Sequence, residues 1–292
     1  MSKLGFHVSL LKKSVYESIM YSHSLFDINA FQLFLKNPKQ KTKINFKESE
    51  YINSKTYIEE NSLFLVSHSP YVINIASSDE SVIQDNLEYV INEIDAISRL
   101  GGKGSVYHVG KSVRLTKAEG FNYMSNFIKM VIDQLIYQNI NGYFILETGA
   151  GCGTELCTKI EDLGAMYYTL SDEQKEKIMF CIDTCHIFSA GYAINTTEGA
   201  QQFIDLFEEH IGWHKVICIH FNDSKTECGS CVDRHDNFGI GHISREETDG
   251  IIHLLKYINE LEIPLILETP VDDRNMIKNR IDEINLIKQW LV

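Results

Sequence analysis

The stretch YFILE, residues 143–147, is a short apolar run that ends in a carboxylate. Five further apolar runs also end at a histidine, aspartate or glutamate. These ends are His68, His108, Asp183, His220 and Glu268. Short β-type runs that end in such residues at roughly regular spacing are typical of a parallel β/α barrel, whose active site lies at the carboxyl ends of the strands. The pattern therefore predicts a (β/α)8 TIM barrel with these side chains, and Glu147, on one rim.

Eight strands can be placed along the chain. The predicted strands are residues 4–8, 30–35, 62–67, 103–107, 143–146, 178–182, 215–219 and 263–267. Apolar residues at every third or fourth position predict helices over 82–100 and 117–138. Because strands and helices alternate throughout, we expect a parallel sheet.

Helix-end signals add two expectations near the carboxyl terminus. Ser244 followed by Glu247 predicts a capping box for a helix that reaches Leu261. A closing helix is predicted from about 274 to 291.

Length and composition limit the class of protein. The 292 residues are 44% hydrophobic, which suits one large barrel domain over residues 1–292. No run approaches about 18 apolar residues, so no membrane-spanning helix is expected. The start MSKLGFHVSLLKK has no signal-peptide core, which predicts an intracellular protein of the cytoplasm or nucleus that is not secreted. Richness in Ile, Asn and Lys is compatible with a bacterial, parasitic or viral source.

The seven cysteines form no framework of the secreted type, and their odd number leaves at least one unpaired. Mostly reduced thiols are the default expectation. For CGSC, residues 228–231, two interpretations stay open. Cys228 and Cys231 are either two reduced loop thiols or a local disulfide that stiffens the loop carrying Asp233 and His235.

Two motifs add candidate metal ligands. In CIDTCH, His186 follows the strand-end Asp183 by three residues, so the two could face different metals of one cluster. In VDRH, an extended backbone would turn Asp233 and His235 to the same face and Arg234 away from it. This spacing predicts two ligands for one ion and an arginine available to a phosphate.

Taken together, these segments resemble the endonuclease IV family of metal-dependent apurinic/apyrimidinic endonucleases. The matching segments are GFHVS, FLKN, HSPYVIN, LETGAG, CIDTCHIFSAGY, HFNDSK, VDRHDNFGIG and LILET. They run in the family's order from about Gly5 to Glu268, which is nearly the whole chain. The resemblance implies a TIM barrel that holds a trinuclear zinc site.

The resemblance also implies a ligand set, and every family position is filled. The ligands would be His68, His108 and Glu147 for the first ion; Glu147, Asp183, His220 and Glu268 for the second; and His186, Asp233 and His235 for the third. Catalytic roles would fall to Glu147, which bridges two ions, and to Glu268 and His108. Imidazoles and carboxylates without thiolates independently favour zinc, with Mn²⁺ or Fe²⁺ as alternatives.

The net charge of −13 argues against a general basic coat for nucleic acid. It does not exclude a nuclease. Three divalent ions would bring six positive charges to a site with four carboxylates, so the cleft would be locally positive on an acidic body.

DNA contacts implied by the resemblance involve Lys39, Tyr71, Val72 and Arg234. Tyr71 and Val72 match an aromatic–aliphatic pair that enters the DNA at the lesion. The chain departs from common members at Pro70 and Val72. Lys39 stands where arginine is frequent, which keeps the charge but loses the planar guanidinium.

The implied reaction is hydrolysis of the phosphodiester 5′ to an abasic site in double-stranded DNA, leaving a 3′-hydroxyl and a 5′ deoxyribose phosphate. The family also trims blocked 3′ ends, and we expect a monomer. An abasic nucleotide lacks stacking, so extruding it costs less than extruding an intact one.

Two other functions remain open. Sugar isomerases or epimerases of the xylose-isomerase-like barrels use a similar set around one metal, which Glu147, Asp183, His220 and Glu268 alone cannot distinguish. The five further ligands favour the nuclease, because a single-metal isomerase does not need them. The complete ligand set also disfavours a catalytically idle DNA-binding module.

Overall fold

The computed structural model describes residues 2–271 and 275–291. Its strands are β1 (Leu4–His7), β2 (Ala30–Leu33), β3 (Phe64–His68), β4 (Gly104–His108), β5 (Tyr143–Glu147), β6 (Ile178–Asp183), β7 (Val216–His220), β8 (Asp223–Ser224), β9 (His235–Asp236) and β10 (Leu265–Leu267). Eight of them close into a parallel barrel in the order β1-β10-β7-β6-β5-β4-β3-β2. The predicted TIM barrel is therefore confirmed. The remaining strands, β8 and β9, form a separate antiparallel pair outside the barrel.

Helices follow the strands around the outside. They are α1 (Val15–Phe26), α2 (Glu48–Glu60), α3 (Glu80–Arg99), α4 (Lys117–Tyr137), α5 (Ile160–Tyr168), α6 (Asp172–Lys175), α7 (Thr184–Ser189), α8 (Thr197–His210), α9 (Asp249–Glu260) and α10 (Met276–Trp290). The predicted helices at 82–100 and 117–138 match α3 and α4. The predicted closing helix matches α10, although residue 274 lies outside the described residues. None of the helices within the described ranges is long and apolar enough to cross a membrane.

The expected capping box at Ser244 and Glu247 is wrong. Helix α9 begins at Asp249, and its N-cap residue Thr248 makes no side-chain cap hydrogen bond. The Ser244 hydroxyl instead donates to the buried carboxylate of Asp223. A buried carboxylate needs hydrogen-bond donors more than a solvated helix end does, so it takes the hydroxyl.

A small cluster of apolar side chains packs inside the barrel. This cluster comprises Ala30, Phe64, Val66, Val106, Ile145, Cys181, Cys218 and Ile266. Neighbouring residues on the same strands, such as Leu65 and Phe144, face outward and join the larger core under the helices. This alternation follows from the two-residue period of a strand. It leaves the carboxyl ends of the strands as the place where polar side chains can gather.

Strands β1 and β2 lie very close together at Gly5. Gly5 pairs with Ala30, and a methyl group added to Gly5 would overlap the carbonyl oxygen of Ala30. The backbone of β2 would have to move to relieve this overlap, because no flexible side chain is involved.

We therefore expect Gly5→Ala to lower the free energy of unfolding by about 3 kcal/mol. The matched control is Gly153→Ala, where φ is +61° but no atom lies within 4 Å of the new methyl group. The control should lose only about 1 kcal/mol, from backbone strain alone. Urea unfolding of both variants measures the difference, and equal losses would contradict the close approach.

Candidate metal centre

A cleft of about 290 Å³ opens at the carboxyl ends of the barrel strands. Strands β3, β4, β5, β6 and β7 each end on a predicted ligand, and Glu268 directly follows β10. Six of the predicted ligands line the cleft. They are His68, His108, His186, Asp233, His235 and Glu268.

Glu147 lies at the centre of the cluster and is fully buried. Its Oε2 lies 3.0 Å from His108 Nδ1 and 3.4 Å from His68 Nε2. Its Oε1 lies 2.7 Å from His220 Nδ1 and 3.6 Å from His186 Nδ1. The two carboxylate oxygens therefore face different imidazoles, which is the arrangement that a bridging ligand requires.

A second group gathers around His220. His220 Nδ1 lies 3.3 Å from Glu268 Oε2 and 3.8 Å from Asp183 Oδ2. One ligand atom from each of Glu147, Asp183, His220 and Glu268 lies within 4.8 Å of all the others.

The third predicted group also comes together. Asp233 Oδ1 lies 3.2 Å from His186 Nε2 and 3.4 Å from His235 Nε2. His235 Nε2 is in turn 3.4 Å from Asp183 Oδ2, so Asp183 stands between the second and third groups. The antiparallel pairing of Ser224 with His235 fixes the segment that carries these residues.

The cluster fits divalent cations by two physical criteria. Within the described part of the chain, three of its buried atoms make no well-aligned hydrogen bond, namely Glu147 Oε2, His186 Nε2 and His235 Nε2, although charged partners lie 3.0–3.4 Å away. A buried polar atom without a well-aligned hydrogen bond is costly, and a cation placed between these ligand atoms would satisfy several of them at once. Ligand atoms around tetrahedral zinc lie about 3.3–3.6 Å apart. Several separations of 3.2–3.4 Å in the cluster are close to that range.

Without cations, protons on the imidazoles balance the carboxylates. Burial lowers the pKa of His220, but the carboxylates of Glu268 and Glu147 outweigh it and raise the pKa to about 10. Burial likewise disfavours charge on Glu147, yet the imidazoles, chiefly His108 and His220, hold its pKa well below the usual value. Because a ligating imidazole must be neutral, metal ions would replace these protons.

Backbone and side-chain hydrogen bonds orient the candidate ligands. His68 Nδ1 lies 2.9 Å from the Ser69 carbonyl and His186 Nδ1 lies 2.8 Å from the Thr148 carbonyl, so each donates there and turns Nε2 toward the cluster. Asn222 donates to Asp183 Oδ2 over 2.7 Å. Such outer partners fix ring orientation and tautomer.

Residues that the sequence analysis missed also contribute to the site. Gln32 is fully buried on β2 and contacts His220 and Glu268. A polar residue within the apolar run 30–35 was the signal that could have identified it. Arg280 lines the cleft from α10, where it donates to Thr269. Nothing in its local sequence indicates that position.

The predicted DNA-contacting residues lie on the rim. Tyr71 and Val72 are 66% and 48% exposed, and the Tyr71 ring packs edge-on against Phe34 with centroids 5.5 Å apart. The Tyr71 amide donates to the Pro38 carbonyl, which joins this loop to the one that carries the exposed Lys39. Arg234 is exposed between Asp233 and His235.

All seven cysteines are free thiols, including Cys228 and Cys231. Of the two interpretations of CGSC, the structure agrees with the reduced pair. The segment that carries Asp233 is held by noncovalent contacts, among them a hydrogen bond of 3.2 Å from the Asp233 amide to Cys152 Sγ.

Comparison with known proteins separates the two metal-dependent classes. The family model described as xylose isomerase-like TIM barrel matches residues 25–290. "Putative endonuclease 4" of Acanthamoeba polyphaga mimivirus is 31% identical, with 99% of this chain and 94% of the relative covered.

Among solved structures, endonuclease IV from Thermus thermophilus has a TM-score of 0.81 at 22% identity, covering 99% of this chain and 98% of that one. A D-tagatose 3-epimerase-like protein has a TM-score of 0.72 at 16% identity, covering 99% and 97%. At these identities the structures establish the fold, which nucleases and epimerases share. The sequence match over nearly the full length distinguishes them, and this chain belongs to the endonuclease IV family of nucleases.

Proposed function

We propose that this protein hydrolyses the phosphodiester bond 5′ to abasic sites in double-stranded DNA, leaving a 3′-hydroxyl and a 5′ deoxyribose phosphate. The observation that carries the proposal is the position of Glu147. Its carboxylate is fully buried, and its oxygens face two different sets of imidazoles. A site for one metal needs no such bridge, whereas a multinuclear phosphodiesterase does.

Three zinc ions would occupy the cluster, with Mn²⁺ or Fe²⁺ as alternatives. The three proposed ligand sets are His68, His108 and Glu147; Glu147, Asp183, His220 and Glu268; and His186, Asp233 and His235. When bound, such cations neutralise phosphate charge and acidify water near neutral pH. Their six charges would exceed those of the four carboxylates, which explains how an acidic protein can offer DNA a positive cleft.

Other roles in the reaction fall to residues that face the cleft or lie on its rim. His108 and Glu268 line the cleft and would face the scissile phosphate, whereas Glu147 lies out of reach of solvent. Lys39 and Arg234 are exposed on the rim, where each could contact a backbone phosphate without distorting the cluster.

Lesion selection would be mechanical. Tyr71 projects beside the cleft on Phe34, and Val72 is its exposed neighbour. This pair would fill the gap that an extruded abasic nucleotide leaves in the stack. Blocked 3′ ends present the same phosphodiester to the same site, so their trimming is included in the proposal. We further propose a single barrel domain over residues 1–292, acting as a monomer inside the cell.

An epimerase remains the second candidate because the fold is common to both classes. Five side chains of the cluster argue against an epimerase, because they lie outside the set of four ligands that binds a single metal. They are His68, His108, His186, Asp233 and His235, none of which a single-metal isomerase needs.

The first prediction is metal-dependent incision at an abasic site. The substrate is a duplex with one tetrahydrofuran analogue, which resists β-elimination, and an intact duplex is the control. Zinc-loaded protein should cut only the modified strand and leave a 3′-hydroxyl, and chelator-treated protein should not cut. Absence of cutting, with turnover of a ketose or aldose instead, would establish the rival function.

Glu147→Gln should lower the incision rate by at least about 100-fold, because the bridging charge is lost at the centre of the cluster. The number of bound metal ions should also fall. Glu93→Gln is the matched control, since Glu93 is equally buried but bonds to Tyr107 outside the cluster. Metal analysis and incision kinetics are the measurements. Near-normal values for Glu147→Gln would show that Glu147 only stabilises the barrel.

Tyr71→Ala should weaken binding to abasic DNA by about 1–3 kcal/mol, the range for a lost stacking contact. Its metal content should not change. Tyr137→Ala serves as the control, because Tyr137 is 85% exposed at the end of α4 and does not line the cleft. Fluorescence anisotropy with intact and abasic duplexes measures the effect. Unchanged lesion binding, or loss of metal, would contradict the wedge role.

A further inference from the structure

Gln32 is a fully buried amide that contacts two proposed ligands at once. Its Oε1 lies 2.7 Å from His220 Nε2, and its Nε2 donates to Glu268 Oε1 over 2.6 Å. The same Nε2 lies 3.2 Å from His7 Nδ1. Because no part of Gln32 reaches solvent, its role cannot be a contact with DNA.

The orientation of the Gln32 amide follows from the chemistry of its neighbours. Glu268 is a carboxylate and can only accept hydrogen bonds, so the amide nitrogen must face it. The amide oxygen then faces His220 Nε2 and accepts a hydrogen bond from its N–H. The reversed amide would place two acceptors together at Glu268, which burial makes costly.

This orientation sets the tautomer of His220. With the proton on Nε2, the lone pair of the neutral ring lies on Nδ1. Nδ1 is the atom that faces Glu147 Oε1, Glu268 Oε2 and Asp183 Oδ2. Gln32 therefore selects the form of the ring that can bind a cation at that point.

The Gln32 amide also orients the carboxylate of Glu268. Gln32 donates to Oε1, which His7 Nδ1 also approaches at 3.4 Å, and Oε2 is left facing His220 Nδ1 at 3.3 Å. The Glu268 backbone amide donates to Asn222 Oδ1, so the residue is held at both its backbone and its side chain. One oxygen of Glu268 is thus reserved for the cluster.

We propose that Gln32 is a positioning residue for the metal centre: it sets the tautomer of His220, directs one oxygen of Glu268, and so raises the affinity for the ion bound by Glu147, Asp183, His220 and Glu268. The inference rests on the proposed metal site and extends it to a residue on β2. It predicts a selective effect, because Gln32 contacts ligands of only one of the three ions.

The test compares Gln32→Met and Gln32→Asn with the wild-type protein. Methionine keeps the length but has no amide, and asparagine keeps the amide but is too short to reach both partners. Zinc affinities are measured by competition with a chromophoric chelator. We expect one of three zinc ions to bind about 10–100-fold more weakly in both variants, the range for loss of an outer partner of a ligand.

A second readout reports on His220 itself. In zinc-loaded protein with ¹⁵N-labelled histidine, the Nε2 proton of His220 should be observable and slow to exchange, because Nε2–H donates a buried hydrogen bond to Gln32. In both variants this proton should exchange faster. Asn86→Leu is the control, since Asn86 is a buried amide that bonds to Lys41 and to the Asn74 carbonyl, not to the cluster.

Three wild-type affinities in both variants, with an unchanged His220 proton, would overturn the inference. An equal fall for all three ions, or the same fall in Asn86→Leu, would also overturn it, because it would show a general loss of stability. If Gln32→Met does not fold, the zinc affinities and the His220 proton of Gln32→Asn alone test the inference. Failure of wild-type protein to cut abasic DNA would refute the nuclease proposal alone, because zinc affinity is measured without DNA.

Discussion

The charge of Glu147 lies at a position from which water is excluded. Positive charge must therefore come from protonated imidazoles or from metal ions beside it. Three more carboxylates, from Asp183, Asp233 and Glu268, share the same end of the barrel. Asp183 is fully buried like Glu147, whereas Glu268 and Asp233 are partly open to the cleft. Water cannot screen the two buried acids, so bound protons or metal ions must compensate them. Six imidazoles lie against these acids, those of His7, His68, His108, His186, His220 and His235. The carboxylates of Glu268 and Glu147 raise the pKa of His220 to about 10, so the site attracts positive charge. The same attraction would hold divalent ions and, through them, a phosphate.

The barrel tolerates this concentration of charge because the side chains arrive on rigid elements. Each ligand-bearing strand is paired on both sides, so its last residue is fixed in direction and height. Carbonyls, Asn222 and Gln32 then orient the rings and carboxylates that the strands deliver. The segment with Asp233 and His235 is different, since it lies outside the barrel and is held by the short β8–β9 pairing and by single hydrogen bonds to Cys152, Cys185 and Ser189. We expect the ion at this segment to be the most easily lost.

Much of the site could be predicted from the sequence because the candidate ligands stand at the ends of the apolar runs that form the strands. An apolar run that ends in His68 or Glu147 indicates both the strand and the ligand. The pairing of β8 with β9 had no such signal, since two-residue strands show no alternation. Ser244 was misassigned because a buried acid, Asp223, takes its hydroxyl, which only the tertiary structure reveals. Gln32 was missed because an amide is not a typical ligand, and its function depends on residues more than 180 positions away in the chain.

The central claim is that the cluster holds several metal ions bridged by Glu147. Anomalous diffraction at the zinc absorption edge, from crystals of zinc-loaded protein, tests it most directly. We expect three peaks, one within each proposed ligand set, with Glu147 in contact with two of them. A single peak enclosed by Glu147, Asp183, His220 and Glu268, with the other five side chains free of metal, would refute the bridged cluster and favour a single-metal isomerase.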